Sequence, residues 1–84
     1  MQITLKLFAT LTDYLPAAHR ASNQVPLDVE PTQSILDIIA PYGLPTKLVH
    51  LVLVNGHYIA PEARATTCLK EGDVLAIWPP IAGG

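Results

Sequence analysis

Apolar and polar residues alternate with period two over 2–8, Gln-Ile-Thr-Leu-Lys-Leu-Phe, the pattern of a strand with one face on a core. Ile3, Leu5 and Leu7 point inward on this reading, and Phe8 falls on the opposite face. Leu11, Tyr14 and Leu15 then follow at the spacing of one helical stripe, so a short helical turn is expected over 9–15, ended by Pro16. Residues 17–24 are small and polar without periodicity, and read as a loop. Alternation resumes over 25–30, with Val25, Leu27 and Val29 inward. Pro26 has no N–H for a ladder bond, which places this second strand at a sheet edge.

The period then changes. Ser34-Ile35-Leu36-Asp37 is a capping-box start, in which the hydroxyl and the carboxylate satisfy each other's backbone N–H groups. Ile35, Ile38, Ile39 and Tyr42 form one helical stripe. Pro41 weakens the last turn, and Gly43 supplies the left-handed residue beyond it. The run 48–54 is almost continuously apolar and reads as a central strand. Asn55-Gly56 is a type I′ hairpin signal leading to a short return strand over 57–59. A polar crossover over 60–67 and a turn at Glu71-Gly72-Asp73 lead into a final strand over 74–78.

In that strand Leu75 and Ile77 share the face expected toward the helix, while Val74, Ala76 and Trp78 share the other. Trp78 then lies on the open face, with Phe8, Val52 and Val54 as its expected neighbours. It is either an interface anchor or a lid folded over the sheet edge. Beyond it, Pro79 and Pro80 direct the chain outward as extended backbone, and Ile81, Ala82, Gly83 and Gly84 complete a thin end.

Composition narrows the function. A chain of 84 residues supports one core, and with 50% hydrophobic and 14% charged residues it is not a disordered segment. A net charge of −2 with scattered cations argues against a nucleic-acid partner. No run reaches the roughly 18 apolar residues of a membrane helix and no export signal is visible, so a cytoplasmic protein without membrane contact is expected. Cys68 is the sole cysteine, which excludes an internal disulfide, and it is expected to be a packed or inert thiol. His19, His50 and His57 lack ligand spacing, so neither metal nor cofactor is expected. Nothing within the chain is arranged like an enzyme's catalytic site. Asp73 is best explained by its turn and Ser34 by its cap.

The stretch from Leu69 to Gly84, with its Gly-Asp turn, hydrophobic strand, Pro-Pro and terminal Gly-Gly, resembles the C-terminus of the MoaD/ThiS sulfur carriers. Val52-Leu53-Val54-Asn55-Gly56 and Leu7-Phe8-Ala9 extend the resemblance over most of the chain. It implies an α+β, ubiquitin-like β-grasp fold, a mixed sheet packed on one main helix, with a domain over 1–78 and a flexible tail over 79–84. It further implies a non-enzymatic carrier whose reactive group is the Gly84 carboxylate, adenylated by an E1-like adenylyltransferase and converted to a thiocarboxylate. The sulfur would then pass to a synthase large subunit or another sulfur-accepting enzyme. Gly83, Ala82, Ile81, Pro80, Pro79, Trp78 and Phe8 are the implied partner contacts. The ending leans toward the molybdopterin-synthase type. A carrier for thiamine or another metabolite, a ubiquitin-like modifier joined through Gly84 to lysines, and a β-grasp binding module remain open.

Overall fold

The computed structural model describes residues 1–80. Five strands form one mixed sheet: β1 (Gln2–Leu7), β2 (Gln24–Asp28), β3 (Leu51–Val54), β4 (His57–Tyr58) and β5 (Val74–Trp78). Their order across the sheet is β2-β1-β5-β3-β4, with β1 and β5 parallel at the centre and every other pair antiparallel. The one α-helix among the described residues, α1 (Ile35–Ile39), packs on one face. This is the ubiquitin-like β-grasp arrangement expected from the resemblance. Among the described residues no helix is long and apolar enough to cross a membrane.

Alternation along β1 produces the core. Ile3, Leu5 and Leu7 are buried and join Val25, Ile35, Ile38, Ile39, Leu75 and Ile77 in one cluster. Residues 9–14 form a 3-10 helix rather than an α-helix, although Leu11 and Leu15 point into the core as their spacing requires. Pro26 stands opposite Thr4 on β2, a strand with a neighbour on one side only, so its missing donor leaves no ladder bond unmade. Regular pairing of β2 ends at Asp28, two residues before the alternation does. The expected loop before it contains a short 3-10 turn at Ala17–His19.

Every free N–H at the start of α1 finds an acceptor. Ser34 Oγ accepts from the Asp37 amide at 3.2 Å, and Asp37 Oδ2 accepts from the Ser34 amide at 3.1 Å. The amides of Ile35 and Leu36 donate to the carbonyls of Thr67 and Arg64 in the crossover before β5. The helix and the crossover are thereby fastened together. Replacing Ser34 with Ala should cost about 1 kcal/mol and lower Tm by roughly 4–8 °C; a melt coinciding with that of the unaltered protein would contradict the cap's role. At the far end Pro41 sits inside a 3-10 turn, Ala40–Tyr42, and Gly43 takes φ 65°.

The apolar run over 48–54 departs from expectation. Thr46–Leu48 is a 3-10 turn, and pairing begins only at Leu51. β3 lies second from the edge, between β5 and β4. The Val49 and His50 carbonyls, which an earlier start would have committed to a neighbouring strand, accept instead from the buried side chain of Arg64. The Asn55-Gly56 hairpin forms as expected, with φ of 50° and 83° at its two central residues.

Candidate functional site

Register determines what the open face of the sheet displays. β1 pairs with β5 through Thr4 with Val74, Leu5 with Leu75, Lys6 with Ala76 and Leu7 with Ile77. One step further along the same ladder, Phe8 meets Trp78. The Phe8 amide donates to the Ile77 carbonyl at 3.1 Å, and the two rings stack with centroids 4.0 Å apart and planes 8° from parallel. Such a pair contributes roughly 0.5–1.5 kcal/mol beyond its area burial. Trp78 is half-buried by this contact. The stack stands on the face opposite α1, because Leu75 and Ile77, one residue out of phase with Trp78, are wholly buried beneath the sheet.

The neighbours of Trp78 on β3 differ from those expected. Leu51 stands opposite Trp78 and Leu53 opposite Ala76, so Leu51 and Leu53 share the open face. Val52 is fully buried opposite Ile77, and Val54, opposite Leu75, packs against the core on the same inner face. An unbroken apolar run carries no alternation, and a shift of one residue in register exchanges the two faces. Tyr58, paired with Leu53 and 58% exposed, extends the open face toward the edge. Ala76 is buried yet stands apart from the core cluster, as expected for a small residue flanked by Lys6 and Leu53 on the outer face. The result is a continuous apolar surface: Phe8, Trp78, Leu51, Ala76, Leu53 and Tyr58.

The C-terminal end of β5 lies at one end of this surface. Trp78 is the last strand residue, and Pro79, half-buried, and Pro80, exposed, lead away from it. The expectations for Ile81, Ala82, Gly83 and Gly84 fall outside the described residues.

Arg64 is the residue that reading the chain missed. It is only 4% exposed, and it donates from Nε to the Ile59 carbonyl at 3.1 Å, from Nη1 to Val49 at 2.9 Å and from Nη2 to His50 at 3.0 Å. An arginine between two alanines in a polar crossover carries no periodicity to mark it as buried. It borders a cavity of about 280 Å³ on the helix side, lined also by Leu36, Ile39, Leu44, Val49 and Pro61. Cys68 is exposed rather than packed. Leu69 turns into the core and the preceding side chain therefore faces out, its Sγ 3.7 Å from the Thr32 carbonyl. Among the described residues no three His, Cys, Asp or Glu side chains gather in a way that could hold a metal ion.

The Mut7-C ubiquitin family matches residues 1–82, nearly the whole chain. The chain belongs to that family. The molybdopterin synthase sulfur carrier subunit of Drosophila melanogaster is 28% identical to this ubiquitin-like protein over 78 residues, 93% of this chain and 87% of the relative. SAMP1, a small archaeal modifier protein of Haloferax volcanii, superposes with a TM-score of 0.70 at 24% identity, over 100% of both chains. A chain in the complex of subunits 1 and 2 of the molybdopterin-converting factor from Helicobacter pylori superposes with a TM-score of 0.61 at 20% identity, again over 100% of both chains. The resemblance to the MoaD/ThiS group therefore holds at the level of the ubiquitin-like family and its fold.

Proposed function

We propose that this protein is a sulfur carrier whose reactive group is the Gly84 carboxylate, acting as the small subunit of a molybdopterin-synthase type of complex. The observation that carries the proposal is the placement of the Pro79-Pro80 exit at the end of an apolar sheet face anchored by the Phe8–Trp78 stack. A face of this kind on a small domain suits a partner surface, with stacked aromatics as its anchor. The relative in Drosophila melanogaster, named a molybdopterin synthase sulfur carrier subunit, supports the same reading.

The chemistry follows from what a carboxylate lacks. Its carbonyl resists nucleophiles until one oxygen becomes part of a leaving group. In the proposed sequence a Gly84 carboxylate oxygen attacks the α-phosphorus of ATP in an E1-like adenylyltransferase, and pyrophosphate leaves. A sulfur nucleophile at the hydrosulfide level then attacks the acyl carbon, AMP departs, and a thiocarboxylate remains. That sulfur passes to an acceptor bound by the synthase large subunit. The carrier contributes position: the open face docks, two prolines fix direction, and two glycines put no side chain in the way of close approach. The enzymes it visits supply the catalytic groups.

Incubation with an E1-like adenylyltransferase, MgATP and hydroxylamine tests the first step. Trapping should give a hydroxamate on Gly84 alone; absence of any ATP-dependent adduct at Gly84 would overturn the carrier reading. The second reading, a modifier joined to lysines, begins from the same adenylate and draws on the likeness to SAMP1. It predicts Gly-Gly remnants on lysines of other proteins where the carrier reading predicts sulfur on Gly84.

A further inference from the structure

We infer that Arg64 is a positioning residue for the tail, acting through a single peptide group at the entry to β3. The inference rests on the carrier reading, and it gives that reading a hinge point. Val49 C=O and His50 N–H belong to one planar peptide unit. Arg64 Nη1 donates to its carbonyl end at 2.9 Å, and its N–H end donates to the Trp78 carbonyl at 3.2 Å. The next carbonyl, His50, accepts from Arg64 Nη2 at 3.0 Å. The guanidinium therefore holds two successive peptide groups, and the first of them holds the last carbonyl of β5.

The Trp78 carbonyl matters because two prolines come directly after it. Pro79 and Pro80 have no N–H, so neither can donate a ladder bond to either neighbouring strand. On the β1 side the Phe8 amide reaches only Ile77. The His50 amide is thus the outermost backbone bond at the root of the tail among the described residues, and its peptide plane is fixed by a cation. Donation from a charged group to the Val49 carbonyl also polarises the amide and strengthens its N–H as a donor. Arg64 has no acidic partner: among the described residues the one ion pair joins the Met1 ammonium to Asp28. Its fork is satisfied by carbonyls alone, an arrangement a lysine cannot reproduce, because an ammonium is a point charge without two fixed parallel donors.

Arg64→Lys in the full chain tests this. Hydrogen exchange by NMR should show the His50 amide opening about tenfold faster, beyond any change shared by the core amides of Leu5 and Leu75. In adenylation, kcat should fall about tenfold with KM unchanged, because the open face still docks while the carboxylate arrives misplaced. A role in stability alone would reduce the folded fraction, raising apparent KM and leaving kcat as it was. A folded Arg64→Lys protein with unaltered His50 exchange and kcat would overturn the inference. If that variant does not fold, the unaltered protein decides: a scalar coupling across the hydrogen bond from the His50 nitrogen to the Trp78 carbonyl carbon is expected, and an unprotected His50 amide would refute the clamp. Failure of the unaltered protein to be adenylated would count against the carrier reading, while the exchange measurements still judge the clamp separately.

Discussion

Adding one alanine after Gly84 should abolish adenylation, with no measurable change in the melting temperature. The loss is expected to be near-complete because the reacting group itself has moved: the Gly84 carbonyl becomes an amide, and the new carboxylate lies one residue further along and beside a β-carbon. Positioning of reacting groups is worth roughly 7–11 kcal/mol in well-oriented reactions, and a displacement of about 1 Å costs on the order of a hundredfold. The melt is insensitive because the core lies within β1, β2, β3, β5, α1 and the turns between them. Pyrophosphate exchange with the E1-like enzyme provides the measurement. An extended chain exchanging at an undiminished rate would contradict the assignment of the reacting group to the Gly84 carboxylate.

Trp78→Ala is expected to weaken binding to the synthase large subunit by about 2–3 kcal/mol, or roughly 30- to 150-fold in Kd. Truncation removes the ring stacked at 4.0 Å on Phe8 and the side chain opposite Leu51 at once. Trp78 is only half-buried, so the fold should survive with a loss near the 0.5–1.5 kcal/mol of an aromatic pair plus some area burial. Leu36→Ala supplies the control. Leu36 is 42% exposed but lies on α1, across the sheet from Trp78, and its truncation should leave partner affinity unchanged. Calorimetric titration with the large subunit separates the faces. Normal binding by Trp78→Ala together with weakened binding by Leu36→Ala would transfer the interface to the helix side.

What the chain order disclosed, and what it concealed, reflects the range of the forces involved. Ser34 and Asp37, Asn55 and Gly56, and Pro26 each act on backbone within a few residues, so their roles could be read locally and the structure repeats them. The parallel pairing of β1 with β5 was accessible through the family resemblance, since no local signal joins residues 70 positions apart. The faces of Val52 and Val54 were concealed because the apolar run lacks alternation and its register is set by Ile77 and Leu75 on another strand. Arg64 was concealed for a related reason. Its partners are carbonyls at 49, 50 and 59, and nothing about a carbonyl is visible in a side-chain pattern. For the candidate site, Phe8 and Trp78 could be placed on the open face by period-two alternation, whereas their stacking needed the register.

The central claim is that sulfur is carried on Gly84. Intact-mass and fragment-ion analysis of the protein isolated from its own cells, under conditions that preserve thioacids, tests it most directly. A population is expected in which one oxygen of the final residue is replaced by sulfur, with the shift confined to fragments containing Gly84. A terminus carrying only oxygen, in cells where Gly-Gly remnants from this chain decorate lysines of other proteins, would contradict it.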